Sequence, residues 1–213
     1  MNRRRAVAAG VVALVLLALL AWWLGRDEDP PAAAPAPALT PTPTPDPTPA
    51  PSPCAGQART GFVPTSITLP GVVRRAEVLA VPRDAAGVVG VPPVADKRVF
   101  AWDRGGVEPG SRQGHVLLNT HTWPDGSAMG NTLLDRLRVG GELRLARPGK
   151  VACYRVSKRV EVRAEDGYPG WSATEGPSQV VIVVCSGQRL GPGRWTHRTL
   201  WFADPVPVSP GQV

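Results

Sequence analysis

From about residue 60 onward, the sequence predicts an all-β barrel or sandwich. Three observations carry this: short apolar runs rich in Val, Ile, Leu, Thr and Trp, turn residues between them, and a single stretch with helical spacing. Strands are expected at Thr65–Leu69, Glu77–Val81, Val116–His121, Glu142–Ala146, Val151–Val162, Val180–Cys185 and Thr199–Ala203. The expected helix is Met129–Leu137, with Leu133, Leu134 and Leu137 on one face and Gly140 and Gly141 closing it. No internal repeat runs through the chain.

Composition bounds the rest. The chain has 213 residues, 43% of them hydrophobic, enough for one domain of ordinary size plus extensions. Of its 25 Pro, 11 lie between Asp27 and Pro53, so the foldable part is nearer 150 residues (about one domain). Glycine has no three-residue period, which excludes collagen, and three Cys are too few for a disulfide miniprotein. The formal charge of +7 is concentrated at Arg3, Arg4, Arg5 and Arg26, and beyond residue 26 there are 20 basic against 17 acidic residues, net +3. Those charges are interspersed without a basic stripe, so no nucleic-acid partner is expected.

The N-terminus is read in three parts. Residues 1–5 form a basic tail, and Ala6–Leu24 is an uncharged run of 19 residues ending in Trp22 and Trp23. Such a helix spans roughly 28 Å, the hydrocarbon thickness of a bilayer. Basic residues before the run and Asp27, Glu28 and Asp29 after it predict a single pass with the N-terminus cytoplasmic and the bulk of the chain outside. The run is either an uncleaved anchor or a cleaved signal peptide, and its length and Trp pair favour the anchor. Residues 25–58 follow as a Pro-, Thr- and Ala-rich stalk. As polyproline II, its Asp27–Pro53 core could hold the 59–213 domain up to roughly 80 Å from the membrane.

The candidate chemistry starts at Cys185, which ends the apolar run Val180-Val181-Ile182-Val183-Val184 and precedes Ser186-Gly187-Gln188. A thiol there is either a buried core cysteine or a nucleophile. A nucleophile needs a base and a positive group nearby. The chain has three His, at 115, 121 and 197. His121 ends its expected strand and heads the polar loop Thr122–Asn131, so it can share a barrel mouth with Cys185. Arg198, at the start of the last expected strand, can reach the same mouth and stabilise charge on a carbonyl oxygen.

This order of His, Cys at the end of an apolar strand, and Arg about a dozen residues later resembles the sortases, membrane-anchored cysteine transpeptidases of Gram-positive surfaces. Val116–Thr122 looks like the strand carrying the family's His, and Asn131–Leu137 sits where the family has a short helix. Val181–Cys185 looks like its Thr-Leu-x-Thr-Cys motif, with Val181 and Val184 in place of the two Thr, and Trp195–Ala203 looks like its Arg strand. Gly61–Gly114, with Trp102 and Pro109-Gly110, resembles the actinobacterial class E/F branch. Gly114-His115 mimics the family's Gly-His pair, but a long loop should follow the catalytic His, and it follows His121. His115 is therefore expected to be structural.

The resemblance implies an eight-stranded β-barrel with one or two short helices. It implies cleavage of a Leu-Pro-x-Thr-Gly-like sorting signal between Thr and Gly, with Cys185 as nucleophile, His121 as general acid and base, and Arg198 as oxyanion or substrate-positioning group. The partners implied are secreted proteins bearing the sorting signal and an amine of peptidoglycan or lipid II. No metal or cofactor is expected. Trp123, Tyr168 and Trp171 are candidate substrate-groove residues, or they brace their own loops. With Cys185 kept free, Cys54 and Cys153 are the remaining pair, bridged or both unpaired. The alternative to an enzyme is a non-catalytic wall-binding module on a stalk, with Cys185 a buried thiol.

Overall fold

The computed structural model describes Gly25 and residues 53–207. The expected basic tail, the apolar 6–24 run and nearly all of the stalk lie outside the described residues. Among the described residues no helix is long and apolar enough to cross a membrane.

The domain consists of β1 (Ser66–Leu69), β2 (Val73–Val81), β3 (Phe100–Asp103), β4 (His115–Asn119), α1 (Met129–Arg136), β5 (Glu142–Arg147), β6 (Lys150–Arg163), β7 (Gln179–Gly191) and β8 (Arg194–Pro205). The strands close into a barrel in the order β1-β2-β3-β4-β7-β8-β6-β5. The β2/β3 and β4/β7 pairs are parallel and the others antiparallel. Closure gives every described strand a neighbour on both sides, so none stands as an edge strand.

Alternation decides what fills the barrel. Val116 and Leu118 of β4, Val180, Ile182 and Val184 of β7, and Trp201 and Ala203 of β8 join the main core with Phe100, Trp102, Leu133 and Tyr154. The intervening residues Leu117, Val181, Leu200 and Phe202 form a second apolar cluster with Val160, Val162, Val183 and Trp171. In β6 the register shifts between Val156 and Lys158. This bulge reverses the alternation, so Val156 packs in the main core while Val160 and Val162 join the second cluster.

Three expectations change. Phe100–Asp103 is a strand that the sequence reading leaves out, because four buried residues offer no alternation to recognise. β7 does not end at Cys185 and β8 does not begin near Arg198. Gly187, at φ 75°, makes a bulge instead of opening a loop, and the two strands run on as a hairpin to Gly191 and Arg194. α1 ends at Arg136, and Gly140, at φ 88°, turns the chain toward β5 instead of capping the helix.

Cys54 and Cys153 are joined by a disulfide, with Cα atoms 6.0 Å apart and a sequence separation of 99. Gln57 reinforces it, donating from Nε2 to Val206 O at 2.6 Å and accepting from Cys153 N at 3.0 Å. The entry of the chain is thus stapled to β6. A closed loop of this length is worth up to roughly 4–5 kcal/mol in the chain-entropy model. A thiol titration of the oxidised, denatured protein is expected to find one free cysteine, and Cys54→Ser should lower the melting temperature by several degrees. Three titratable thiols would contradict the bridge.

Candidate active site

Cys185 continues the outward series Val181 and Val183 on β7, and its cross-strand partner on β8 is Arg198. Residues opposite one another in a ladder share a face, so the thiol and the guanidinium project to the same side. Val162 of β6 stands on the far side of Arg198. The next row, Ser186–His197, has the opposite orientation, and Ser186 is buried and accepts a hydrogen bond from Thr199 Oγ1 at 2.9 Å. Arg198 Nη1 donates to His197 O at 2.9 Å, which steadies the guanidinium beside its own strand.

A cavity of about 560 Å³ opens over this face, and His121, Trp123, Trp171, Cys185 and Arg198 all line it. His121 is not on a strand, since β4 stops at Asn119. It is held by a ladder of polar contacts instead. Thr120 Oγ1 donates to Val99 O at 2.7 Å, His121 Nε2 to Pro92 O at 2.8 Å, and Thr122 Oγ1 to Cys185 O at 2.6 Å. A carbonyl only accepts, so Nε2 carries the proton and Nδ1 is the basic nitrogen of the neutral ring. The Thr122 contact ties the histidine segment directly to the backbone of the cysteine.

The N-terminus of α1 completes the brace. Ala128, at its N-cap, supplies no side-chain cap. Two of the first N–H groups are satisfied elsewhere, with Met129 N donating to Lys97 O at 2.8 Å and Gly130 N to His121 O at 2.7 Å. Gly130 permits this approach, because a Cβ there would lie 2.5 Å from Thr122 Oγ1 and 2.6 Å from His121 O. Asn131 brackets Trp123, accepting from its N–H at 2.9 Å and donating to its carbonyl at 3.0 Å.

The other expected residues separate. Tyr168 does not line the cavity. Its ring packs on Phe202 at 5.4 Å and its hydroxyl accepts from Lys158 Nζ at 2.7 Å, so it braces the loop after β6. His115 Nδ1 donates to Trp171 O at 3.1 Å, which holds the same loop in place. His197 faces a different hollow, with Arg163 and Arg194. Among the described residues no group of three or more His, Cys, Asp or Glu converges as a metal site would require.

Sequence reasoning misses Thr122, Gly130 and the wall formed by the 82–98 connection. That connection contributes Val89, Val91 and Val94 to the cavity. Its start is anchored by Arg83, which pairs with the buried Asp103 at 2.6 Å. The Asp103 carboxylate holds the Arg83 guanidinium protonated even more firmly than usual. The only sequence signal for this wall is the apolar run Val88-Val89-Gly90-Val91.

Burial pushes the Cys185 thiol above its ordinary pKa, and the positive charge of Arg198 opposes that rise. Desolvation penalises the thiolate, while the neighbouring cation favours it.

No protein-family model and no curated protein matches the chain. Solved structures do. The chain is similar to sortase C1 of Streptococcus agalactiae, at 18% identity and TM-score 0.52, over 68% of this chain and 68% of that one. The complex of the same sortase with MTSET matches at 18% identity and TM-score 0.52, over 69% and 71%. Sortase A of Listeria monocytogenes matches at 16% identity and TM-score 0.50, over 67% and 86%. At such identity the shared property is the fold, and the chain has the eight-stranded barrel of the sortases.

Two outcomes follow from this geometry. Gly130→Ala is expected to destabilise the domain by about 1–3 kcal/mol and to slow alkylation of Cys185, read by thermal melting and iodoacetamide labelling; an unchanged variant would contradict the close approach. The pH midpoint of Cys185 alkylation should lie above that of a free thiol, and Arg198→Gln should raise it further, because the thiolate loses its neighbouring cation. A midpoint that ignores Arg198 would remove the guanidinium from the site.

Proposed function

We propose that the protein is a sortase-type cysteine transpeptidase, and the observation that carries this is the placement of Cys185, Arg198 and His121 on one cavity of a sortase barrel. In this reading the Cys185 thiolate attacks the Thr carbonyl of a Leu-Pro-x-Thr-Gly-like signal. Arg198 stabilises the oxyanion. As the tetrahedral species collapses, the C–N bond breaks, and protonated His121 gives its Nδ1 proton to the departing Gly amine. A thioester to Cys185 remains. An acceptor amine then attacks the thioester, His121 Nδ1 takes its proton, and the new amide leaves as the thiolate is restored.

A free thiol and a free imidazole differ by about two pKa units in the wrong order for an ion pair. Burial of Cys185 disfavours its thiolate and the Arg198 charge favours it, so the guanidinium offsets part of the cost of forming the nucleophile. Trp123, Trp171 and the valines of the 82–98 connection supply an apolar wall for the signal's Leu and Pro.

The acceptor in this proposal is an amine of peptidoglycan or lipid II. The 6–24 run would anchor the enzyme in the membrane with the stalk and barrel outside. Kinship with class E/F rests on Gly61–Gly114. There Trp102 Nε1 donates to Val107 O at 3.0 Å and Gly110 N to Tyr154 Oη at 2.9 Å.

Incubating the protein with a sorting-signal peptide and identifying the products by mass spectrometry tests this reading. Cleavage between Thr and Gly is expected. Cys185→Ala should abolish it without unfolding the barrel, and His121→Ala should reduce it roughly 10²–10⁴-fold. Arg198→Lys should be badly impaired, since Lys lacks the planar fork of donors, whereas His115→Ala and His197→Ala should stay active. Turnover by Cys185→Ala would sink the proposal.

A further inference from the structure

Asn119 plays no part in the steps above, yet it stands at their centre. It ends β4, lies opposite Val183 of β7 and lines the cavity that holds Cys185. Cys185 is two residues beyond Val183, so the strand spacing of about 4.8 Å and a rise of about 3.3 Å per residue put roughly 8 Å between the Cα atoms of Asn119 and Cys185. A peptide whose carbonyl is attacked at Cys185 therefore passes within one or two residues of Asn119.

The carboxamide is only half used. Nδ2 donates to Gly90 O at 2.8 Å. Because that carbonyl can only accept, the amide orientation is fixed and Oδ1 is the atom left over. Asn119 Oδ1 is buried and has no hydrogen-bond partner among the described residues, where the only other such atom is Arg144 Nε, on β5. Buried acceptors are nearly always paired, so an unpaired one on a residue that lines the reaction cavity marks a place for an incoming donor. An extended peptide brings such donors in its backbone N–H groups.

We propose that Asn119 is a peptide-binding residue whose Oδ1 accepts a backbone N–H of the sorting peptide while its Nδ2 keeps hold of the 82–98 connection. This rests on the transpeptidase reading. The two halves of the amide act together. Gly90, where a Cβ would collide with Pro82 O and Val81 Cγ1, is two residues from Pro92, whose carbonyl receives His121 Nε2–H at 2.8 Å. The grip on Gly90 therefore seats the carbonyl that orients His121. Peptide docking at Oδ1 is linked to the aim of the general acid through one side chain and one short stretch of backbone.

The test is a set of cleavable sorting peptides, each with one backbone amide N-methylated, assayed on the wild-type protein and on Asn119 variants. In the wild type, one methylation near the scissile bond should lower kcat/KM about tenfold, the scale of one hydrogen bond. Asn119→Ala should remove that penalty. Asn119→Asp, which keeps an acceptor oxygen, should retain it. If the Ala variant fails to fold, the nearly isosteric Asn119→Leu makes the same comparison. Cleavage in which no methylation penalty depends on residue 119 overturns this inference alone, whereas a wild-type protein that cleaves no sorting peptide overturns the transpeptidase reading and this inference with it.

Discussion

The register between β7 and β8 is the constraint on which the site depends. With Cys185 opposite Arg198, both side chains face outward over the second apolar cluster. A slip of one residue would turn the thiol into the barrel and bring Ser186 out, because side chains alternate with period two. Ser186 and Thr199 are hydrogen-bonded to each other inside, and Trp201 fills the core two residues on, so the slip would bury or expose the wrong group at several positions at once. The β6 bulge extends the same arrangement by turning Val160 and Val162 outward beneath the site.

The histidine is placed by a different means. His121 lies beyond the end of β4, where no ladder can fix it, and backbone carbonyls and small residues do so instead. Thr122 holds the cysteine strand, Pro92 holds the ring, and Gly130 lets α1 press against the His121–Thr122 backbone. Those partners come from three separate stretches of chain. The placement of His121 relative to Cys185 is therefore as precise as the packing between β7, α1 and the 82–98 connection. The Arg83–Asp103 pair secures the last of these at its root, where Asp103 is fully buried and Arg83 closes over it.

Much of the barrel was legible in the sequence because its strands alternate in and out or run continuously apolar. Cys185, His121 and Arg198 were legible from their order and from the apolar strand before the cysteine. The hairpin beyond Cys185 was not, because Ser186-Gly187-Gln188 reads as a turn until a partner strand shows it to be a bulge. Tyr168 read as a groove residue by its aromatic character, but Phe202 and Lys158 claim it. Phe100–Asp103 was too short to show a period. Asn119, Thr122 and Gly130 carry no local signal, since each matters through a contact with a residue distant in the chain or across a loop.

In the proposed reaction Cys185 forms an acyl bond with substrate while Arg198 and His121 attend it. Its most direct test is intact-mass analysis of the protein mixed with a sorting-signal peptide and quenched in acid within the first turnovers. A mass increase equal to the peptide fragment ending in Thr is expected, located on Cys185 by peptide mapping and removed by hydroxylamine. Cleavage of the peptide with no adduct on Cys185, or an adduct mapped to any other residue, would contradict it.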